Sequence, residues 1–120
     1  MTQPAADQRK PPVEPEVFQR LDLRVGQVVD AQVARGTRRP ALWLTIDFGP
    51  LGVLRSSAQI TDLYRPEELV GRQVVAVVNL PPKRIAGFVS DVLVLGAIRP
   101  DGAVVLLAPD RPVPPGLPVA

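Results

Sequence analysis

Two stretches of this chain carry side chains that could bind a ligand. Arg55-Ser56-Ser57-Ala58-Gln59 places hydrogen-bonding groups at the end of a predicted strand, and Asn79 to Phe88 combines two prolines, two cations and an aromatic ring. Cations grip phosphates or carboxylates, and rings stack on bases or apolar groups. Simpler interpretations stay open: backbone capping by Ser and Gln for the first stretch, and a constrained loop with Phe88 in the core for the second.

Residues that could carry out catalysis are scarce. The chain has no His and no Cys, so the commonest general base, the thiol nucleophile and the commonest transition-metal ligands are missing. A Ser90 nucleophile with a Lys83 base would need a desolvated lysine, yet Lys83 stands beside Arg84 in a polar segment. The glycines match no phosphate-binding fingerprint. We therefore predict a non-enzymatic protein with no catalytic residues, no metal and no cofactor.

The charge composition points to local rather than global binding of anions. Lys and Arg number 14, almost all of them Arg, against 12 acidic residues, which gives a net charge of +2. So small a net charge argues against strong nonspecific binding to polyanions. Two local clusters could still bind them, namely Arg35, Arg38 and Arg39, and Lys83 with Arg84. Solvated surface charge is the alternative interpretation.

Length and composition indicate one domain with an aliphatic core. The chain has 120 residues, of which 46% are apolar and only 4% aromatic. No apolar run reaches the roughly 18 residues of a membrane span, and Met1 to Lys10 lacks the apolar centre of a signal peptide. We expect a cytoplasmic protein with no membrane insertion. Residues 1–12 are polar and proline-containing and are predicted to be a flexible tail, and residues 13–120 to be the domain.

Apolar alternation predicts the first strands. Leu21 to Val25 alternates strictly, and the slip at Gly26-Gln27-Val28 suggests a β-bulge or bend, after which Val29, Ala31 and Val33 resume the alternation. A second strand follows over 42–48, with its even-numbered residues in the core and Trp43 facing outward. Its ring could stack on a base or an apolar side chain, or it could lie over an aliphatic neighbour or inside a dimer contact. Gly49 to Gly52 then turns the chain into a hairpin.

The rest of the chain predicts short helices and further strands. Val13 to Arg20 is an amphipathic helix too short to be stable alone, so it needs a docking surface on its own barrel or on a partner subunit. A second helical segment over 61–71 has Thr61 or Asp62 as cap, Pro66 at its first position and Gly71 as its stop. Strands are expected over 74–78, 89–98 and 104–107. Residues 111–120 are expected to be a loop or an edge segment.

This order of elements favours an all-β fold. Five or six strands with short helices and no βαβ alternation suit a partly open Greek-key barrel of the oligonucleotide-binding class, the OB-fold. A β-sandwich remains possible on the pattern alone.

Several linked motifs, in the same order, are similar to the CsaA family. They are Leu21-Asp22-Leu23-Arg24-Val25-Gly26, Ser56-Ser57-Ala58-Gln59-Ile60-Thr61, Tyr64-Arg65-Pro66, Val77 to Phe88, and Ser90 to Gly96. The resemblance implies an OB-fold barrel, a homodimer formed with the help of the terminal segments, and a chaperone in protein export that binds unfolded or export-bound, secretory polypeptides. The same barrel type binds tRNA by its shape, which is the alternative function. Val92-Leu93 stands where broader tRNA-binding domains often have Gly-Met, which favours the chaperone branch.

The residues predicted to bind peptide or tRNA lie in these motifs, directly before one of them, or on the second strand. They are Trp43, Arg55, Ser56, Ser57, Gln59, Asn79, Pro82, Lys83, Arg84, Phe88 and Ser90.

Overall fold

The computed structural model describes residues 8–120, which form an antiparallel barrel with only short helices. The helices are α1 (Pro15–Gln19) and α2 (Pro66–Leu69). The strands of the first two thirds are β1 (Leu23–Val33), β2 (Leu42–Asp47), β3 (Val53–Ala58) and β4 (Gln73–Val77). The later, shorter strands are β5 (Lys83–Ile85), β6 (Phe88–Ser90), β7 (Leu93–Val94), β8 (Gly96–Ile98), β9 (Val104–Leu106) and β10 (Pro118–Val119).

The main sheet has the strand order β3-β2-β1-β4-β7, and β10 adds to β1. All of these pairs are antiparallel. The two end strands, β3 and β7, lie next to each other, so the sheet curls into a nearly closed barrel. The predicted OB-type barrel is therefore confirmed. Two small hairpins, β5–β6 and β8–β9, stand apart from the main sheet.

The barrel interior is filled by aliphatic side chains and one phenylalanine. The inward face of β2 and the residue after it are almost completely buried, as the alternation predicts, with Leu44, Ile46 and Phe48 at 0% exposure. The buried core cluster consists of Val28, Leu42, Leu44, Ile46, Phe48, Ile60, Leu69, Val74, Ala76 and Val92. This close-packed cluster fixes the surface on which the candidate site is built.

Strand β1 differs from the prediction in the place of its bulge. The register shift lies between Val28 and Asp30, so Val29 is the extra residue; it is 48% exposed and does not belong to the apolar face. Gly26 serves a different purpose. A Cβ there would lie 2.6 Å from Cε1 of Phe48, so only glycine lets the strand pass this close to the ring. The break in the apolar alternation thus reflects two separate features, the close approach of the backbone at Gly26 to Phe48 and the bulge at Val29.

Helix α2 begins and ends as its prolines and glycines predict, but its cap was predicted wrongly. Pro66 is the first helical residue, and Gly71 has the positive φ of 92° typical of a helix stop. The N-cap is Arg65, whose backbone N–H donates to the Glu68 carboxylate at 3.0 Å. Thr61 and Asp62 do not cap, because they belong to a separate turn before the helix.

The segments near the two ends of the chain behave differently. Helix α1 is shorter than predicted, and none of its residues is buried, so it does not dock onto its own barrel. The C-terminal segment is an edge strand as expected, since β10 pairs with the start of β1. The predicted tail falls partly on residues 1–7, outside the described residues, and residues 8–12 contain no helix or strand. Within residues 8–120 no helix is long and apolar enough to cross a membrane.

The predicted strand over 89–98 is divided into three short strands, β6, β7 and β8. The apolar run is interrupted because Asp91 and Val92 leave the ladder and donate their backbone N–H groups to the carbonyl of Arg55, at 2.8 and 3.3 Å. This departure moves the β5–β6 hairpin onto the outside of the barrel, beside β3.

Candidate ligand-binding site

The β5–β6 hairpin forms in the middle of the proline-rich segment. Lys83 pairs with Ser90 and Ile85 with Phe88, which leaves a two-residue turn of Ala86 and Gly87. Both turn residues have positive φ, 50° and 81°. In a two-residue hairpin this combination gives the turn a twist that matches the right-handed twist of the two strands. The segment therefore contains an ordered hairpin, residues 83–90, called the arm below, and is not only a constrained loop.

Two side chains attach the hairpin to the edge of β3, that of its last residue, Ser90, and that of the next residue, Asp91. The Ser90 hydroxyl accepts a hydrogen bond from the Ser57 backbone N–H at 3.0 Å. The Asp91 carboxylate accepts one from the Arg55 backbone N–H at 2.9 Å. These side-chain oxygens thus take the place of a neighbouring strand and satisfy backbone donors at the sheet edge. Ser90, a predicted ligand-binding residue, already uses its hydroxyl here, and Asp91 is a positioning residue that the sequence did not indicate.

An aromatic and cationic stack supports the hairpin from below. The Phe88 ring stacks on Trp43, with centroids 4.7 Å apart and planes 9° from parallel, and the Arg55 guanidinium lies 3.9 Å from its centroid. Phe88 is only 4% exposed, yet it lies on the outer face of β2 and β3 and not in the barrel core. Trp43 faces outward as predicted, and Phe88 covers one face of its ring. These three residues position the arm.

An apolar groove runs between the edge of β3, the segment before β5 and strand β7. Its volume is about 410 Å³, within the usual range of ligand pockets. The aliphatic side chains that line this apolar groove are Ile60, Leu80, Ile85, Val92, Leu93, Val94 and Val104. Its polar lining comes from Ser56, Ser57, Gln59, Lys83, Ser90 and Asp91. Leu80 and Leu93 are 40% and 50% exposed, so the groove presents apolar surface to solvent.

A second cavity, the cationic cleft, lies on the side of the hairpin turn. Its volume is about 470 Å³, and four cations line it, Arg38, Arg39, Lys83 and Arg84. Among residues 8–120, no Asp or Glu belongs to its lining. None of the four cations forms an ion pair within residues 8–120, where the ion pairs are all elsewhere. The cleft can therefore attract an anionic group.

The groove and the cleft share one wall, made of Ser57, Gln59, Lys83 and Ile85. Most of the predicted ligand-binding residues are thus brought together around these two cavities or under the hairpin. Asn79 and Pro82 line neither cavity. Asn79 instead fixes the chain before β1, because its side chain accepts from the Asp22 N–H and donates to the Arg20 carbonyl, both at 2.8 Å.

The aliphatic lining of the groove is the part of the site that the sequence did not reveal. In the sequence, Ile60, Val94 and Val104 look like ordinary core residues. Alternation indicates which face of a strand is apolar, but not whether another element covers that face. The cavity forms where segments that are distant in sequence meet, since its lining residues come from positions between Ser56 and Val104.

The fold and the site define an OB-type binding domain, and comparison with known proteins agrees. Residues 23–118 match the family described as "Putative tRNA binding domain". The solved structure of the chaperone CsaA from Bacillus anthracis is 52% identical with a TM-score of 0.88, and the match covers 92% of this chain and all of that one. A MetRS related protein from Pyrococcus horikoshii is 31% identical with a TM-score of 0.83, over 92% of this chain and all of that one.

Longer relatives carry the same domain as one part. The methionine–tRNA ligase of Methanothrix thermoacetophila is 44% identical over 107 residues, which is 89% of this chain but 15% of the ligase. The chain thus spans about 15% of the length of the curated relatives it matches. The chain belongs to the tRNA-binding-domain family and, within it, to the CsaA proteins.

Proposed function

We propose that this protein is a non-enzymatic chaperone that holds unfolded or export-bound polypeptides in the apolar groove. The observation that carries the proposal is the exposed aliphatic surface of Leu80 and Leu93 at the mouth of an open cavity. A protein that holds unfolded chains needs such surface, because unfolded chains expose apolar groups whose burial is favourable and does not depend on a particular sequence. The similarity to the Bacillus anthracis chaperone supports the same function. The cytoplasmic location and the export-bound clients stay predictions.

The test compares two double variants. Leu80→Ser with Leu93→Ser removes apolar surface from the groove, whereas Ile98→Ser with Leu107→Ser removes exposed aliphatic side chains that line neither cavity. We expect the groove variant to bind a reduced, unfolded client about thirty-fold more weakly, since each of the two leucines loses on the order of 1 kcal/mol of burial. Fluorescence anisotropy of the labelled client measures this. Equal affinity of the two variants would exclude the groove as the client site.

Binding of tRNA is the second candidate, and the cationic cleft favours it. Four cations on one cavity suit a run of phosphates, and the matched family is described by tRNA binding. Each phosphate that is bound releases counterions, so affinity for tRNA should fall steeply with salt, whereas client binding by apolar burial should be unchanged or improve. Replacing Lys83 and Arg84 by alanine should reduce the slope by about one unit for each phosphate that is no longer neutralised. A flat salt dependence for tRNA would exclude this function.

We further propose that the protein works as a homodimer joined through its terminal segments. Val13, just before α1, and Val17 and Phe18 within it are 67%, 42% and 48% exposed, which is unusual for the apolar face of so short a helix. Strand β10 pairs with the start of β1, so the C-terminal segment lies beside the chain that follows α1. A second copy covering this surface would supply the docking face that the helix lacks in its own barrel.

Light scattering at micromolar concentration tests the dimer. We expect twice the chain mass for the wild type and a monomer for Val17→Asp with Phe18→Asp, because carboxylates on the helix face would have to be desolvated in the interface. A wild type that stays monomeric would disprove this role of the termini.

A further inference from the structure

We propose that the apolar groove and the cationic cleft bind one continuous ligand, an extended peptide in which an aliphatic segment is followed by acidic residues. This inference rests on the proposed polypeptide-binding function and adds a sequence preference to it. Client choice would then depend on the charge of the residues flanking the apolar segment.

The first observation is that the two cavities are adjacent. Ser57, Gln59, Lys83 and Ile85 line both, so only the side chains of this shared wall separate the groove from the cleft. An extended chain advances about 3.3 Å per residue, so a peptide seated in the groove reaches the cleft within a few residues. The residues next to its aliphatic segment therefore enter the field of the cations.

The difference in charge between the cavities is the second observation. The apolar groove holds one cation and one carboxylate, Lys83 and Asp91, and the Asp91 carboxylate already accepts a hydrogen bond from the Arg55 N–H. In the part of the chain that the structure describes, the cationic cleft is lined by four cations and no carboxylate. A peptide with an aliphatic segment and glutamates would complement both cavities, whereas lysines at the same positions would be repelled by like charge.

Three synthetic peptides test the preference on the full chain. They share one aliphatic stretch, which is followed by glutamates, glutamines or lysines. We expect the glutamate peptide to bind about five- to thirty-fold more tightly than the glutamine peptide at low salt, from two to four partly exposed charge pairs. The lysine peptide should bind most weakly, and the differences should shrink as salt is added.

Two variants assign the preference to the cleft. Arg38 and Arg39 line only the cleft, so Arg38→Gln with Arg39→Gln should lower the affinity for the glutamate peptide and leave that for the glutamine peptide unchanged. Arg20→Gln with Arg111→Gln removes two exposed cations that line neither cavity, and should change nothing.

The outcomes separate this inference from the proposed function. Equal binding of all three peptides, sensitive to the Leu80 and Leu93 changes, would overturn the preference and leave the chaperone function standing. Failure of every peptide and of the unfolded client to bind would overturn the chaperone function itself. If bulk tRNA binds in an Arg38- and Arg39-dependent manner while the glutamate peptide shows no advantage over the glutamine peptide, the cleft is an RNA site and the inference is wrong.

Discussion

Phe48 and Phe88 are both buried, at 0% and 4% exposure, but they hold different parts of the molecule together. Phe48 lies inside the barrel among aliphatic side chains and rests against the backbone at Gly26. Phe88 lies outside the barrel, stacked on Trp43 and under the Arg55 guanidinium. The barrel is thus stabilised by many equivalent apolar contacts, whereas the β5–β6 hairpin, the arm, depends on one stack and a few hydrogen bonds. We therefore expect the arm to loosen without unfolding of the barrel.

The largest expected effect is in the barrel. Phe48→Ala should lower the free energy of unfolding by about 3–5 kcal/mol, because the cavity forms inside a close-packed core that cannot collapse. Urea denaturation followed by Trp43 fluorescence or by circular dichroism measures it. Phe48→Leu serves as the control and should cost much less. A decrease for Phe48→Ala no larger than that for Phe88→Ala would contradict the contrast drawn between the two rings.

A smaller and more local effect is expected in the arm. Phe88→Ala should lower the free energy of local opening of the β5–β6 hairpin by about 2 kcal/mol, because the stack with Trp43 is removed but the site lies at the surface and can partly close. Amide hydrogen exchange should speed up over 83–90, while the amides of β2 remain protected. Client affinity should fall as well, since the shared wall of the two cavities belongs in part to this hairpin. Uniform loss of protection across the barrel would show that arm and barrel form one cooperative unit.

The same contrast explains which parts of the fold could be predicted from the sequence. The even-numbered residues of 42–48 face the core because a strand buried on one side alternates without exception. Residues 92–95 are all apolar, so they carry no such signal, and the break between β6 and β7 depends on Arg55 meeting Asp91 and Val92. Arg55 and Asp91 are 36 residues apart in the sequence, and local patterns give no information about contacts at that separation.

The candidate site could be predicted in its polar half. Lys83, Arg84, Ser57 and Gln59 stood out because charged or hydrogen-bonding groups near strand ends are unusual enough to notice. The aliphatic half was hidden, since a valine beside a cavity and a valine in the core look the same in a sequence. Trp43 was correctly placed on the outer face, but its stacking partner Phe88 comes from another hairpin, so its supporting contact could not be inferred from alternation.

The smallest predicted effect concerns the turn of the arm and has the opposite sign. Ala86 has a φ of 50°, the left-handed region in which a Cβ is crowded and which only Gly, Asn and Asp occupy readily. Ala86→Asn should therefore raise the free energy of local opening of the β5–β6 hairpin by about 0.5 kcal/mol, since the crowding penalty of about 1 kcal/mol is partly relieved. Ala86→Val is the matched control and should destabilise, because a β-branched residue fits this region worst. The gain should appear as slower amide exchange over 83–90 rather than in β2, since the turn belongs to the arm. If the gain were instead spread evenly over barrel and arm, the strain at Ala86 would act on the global unfolding equilibrium, and the two regions would not be independent.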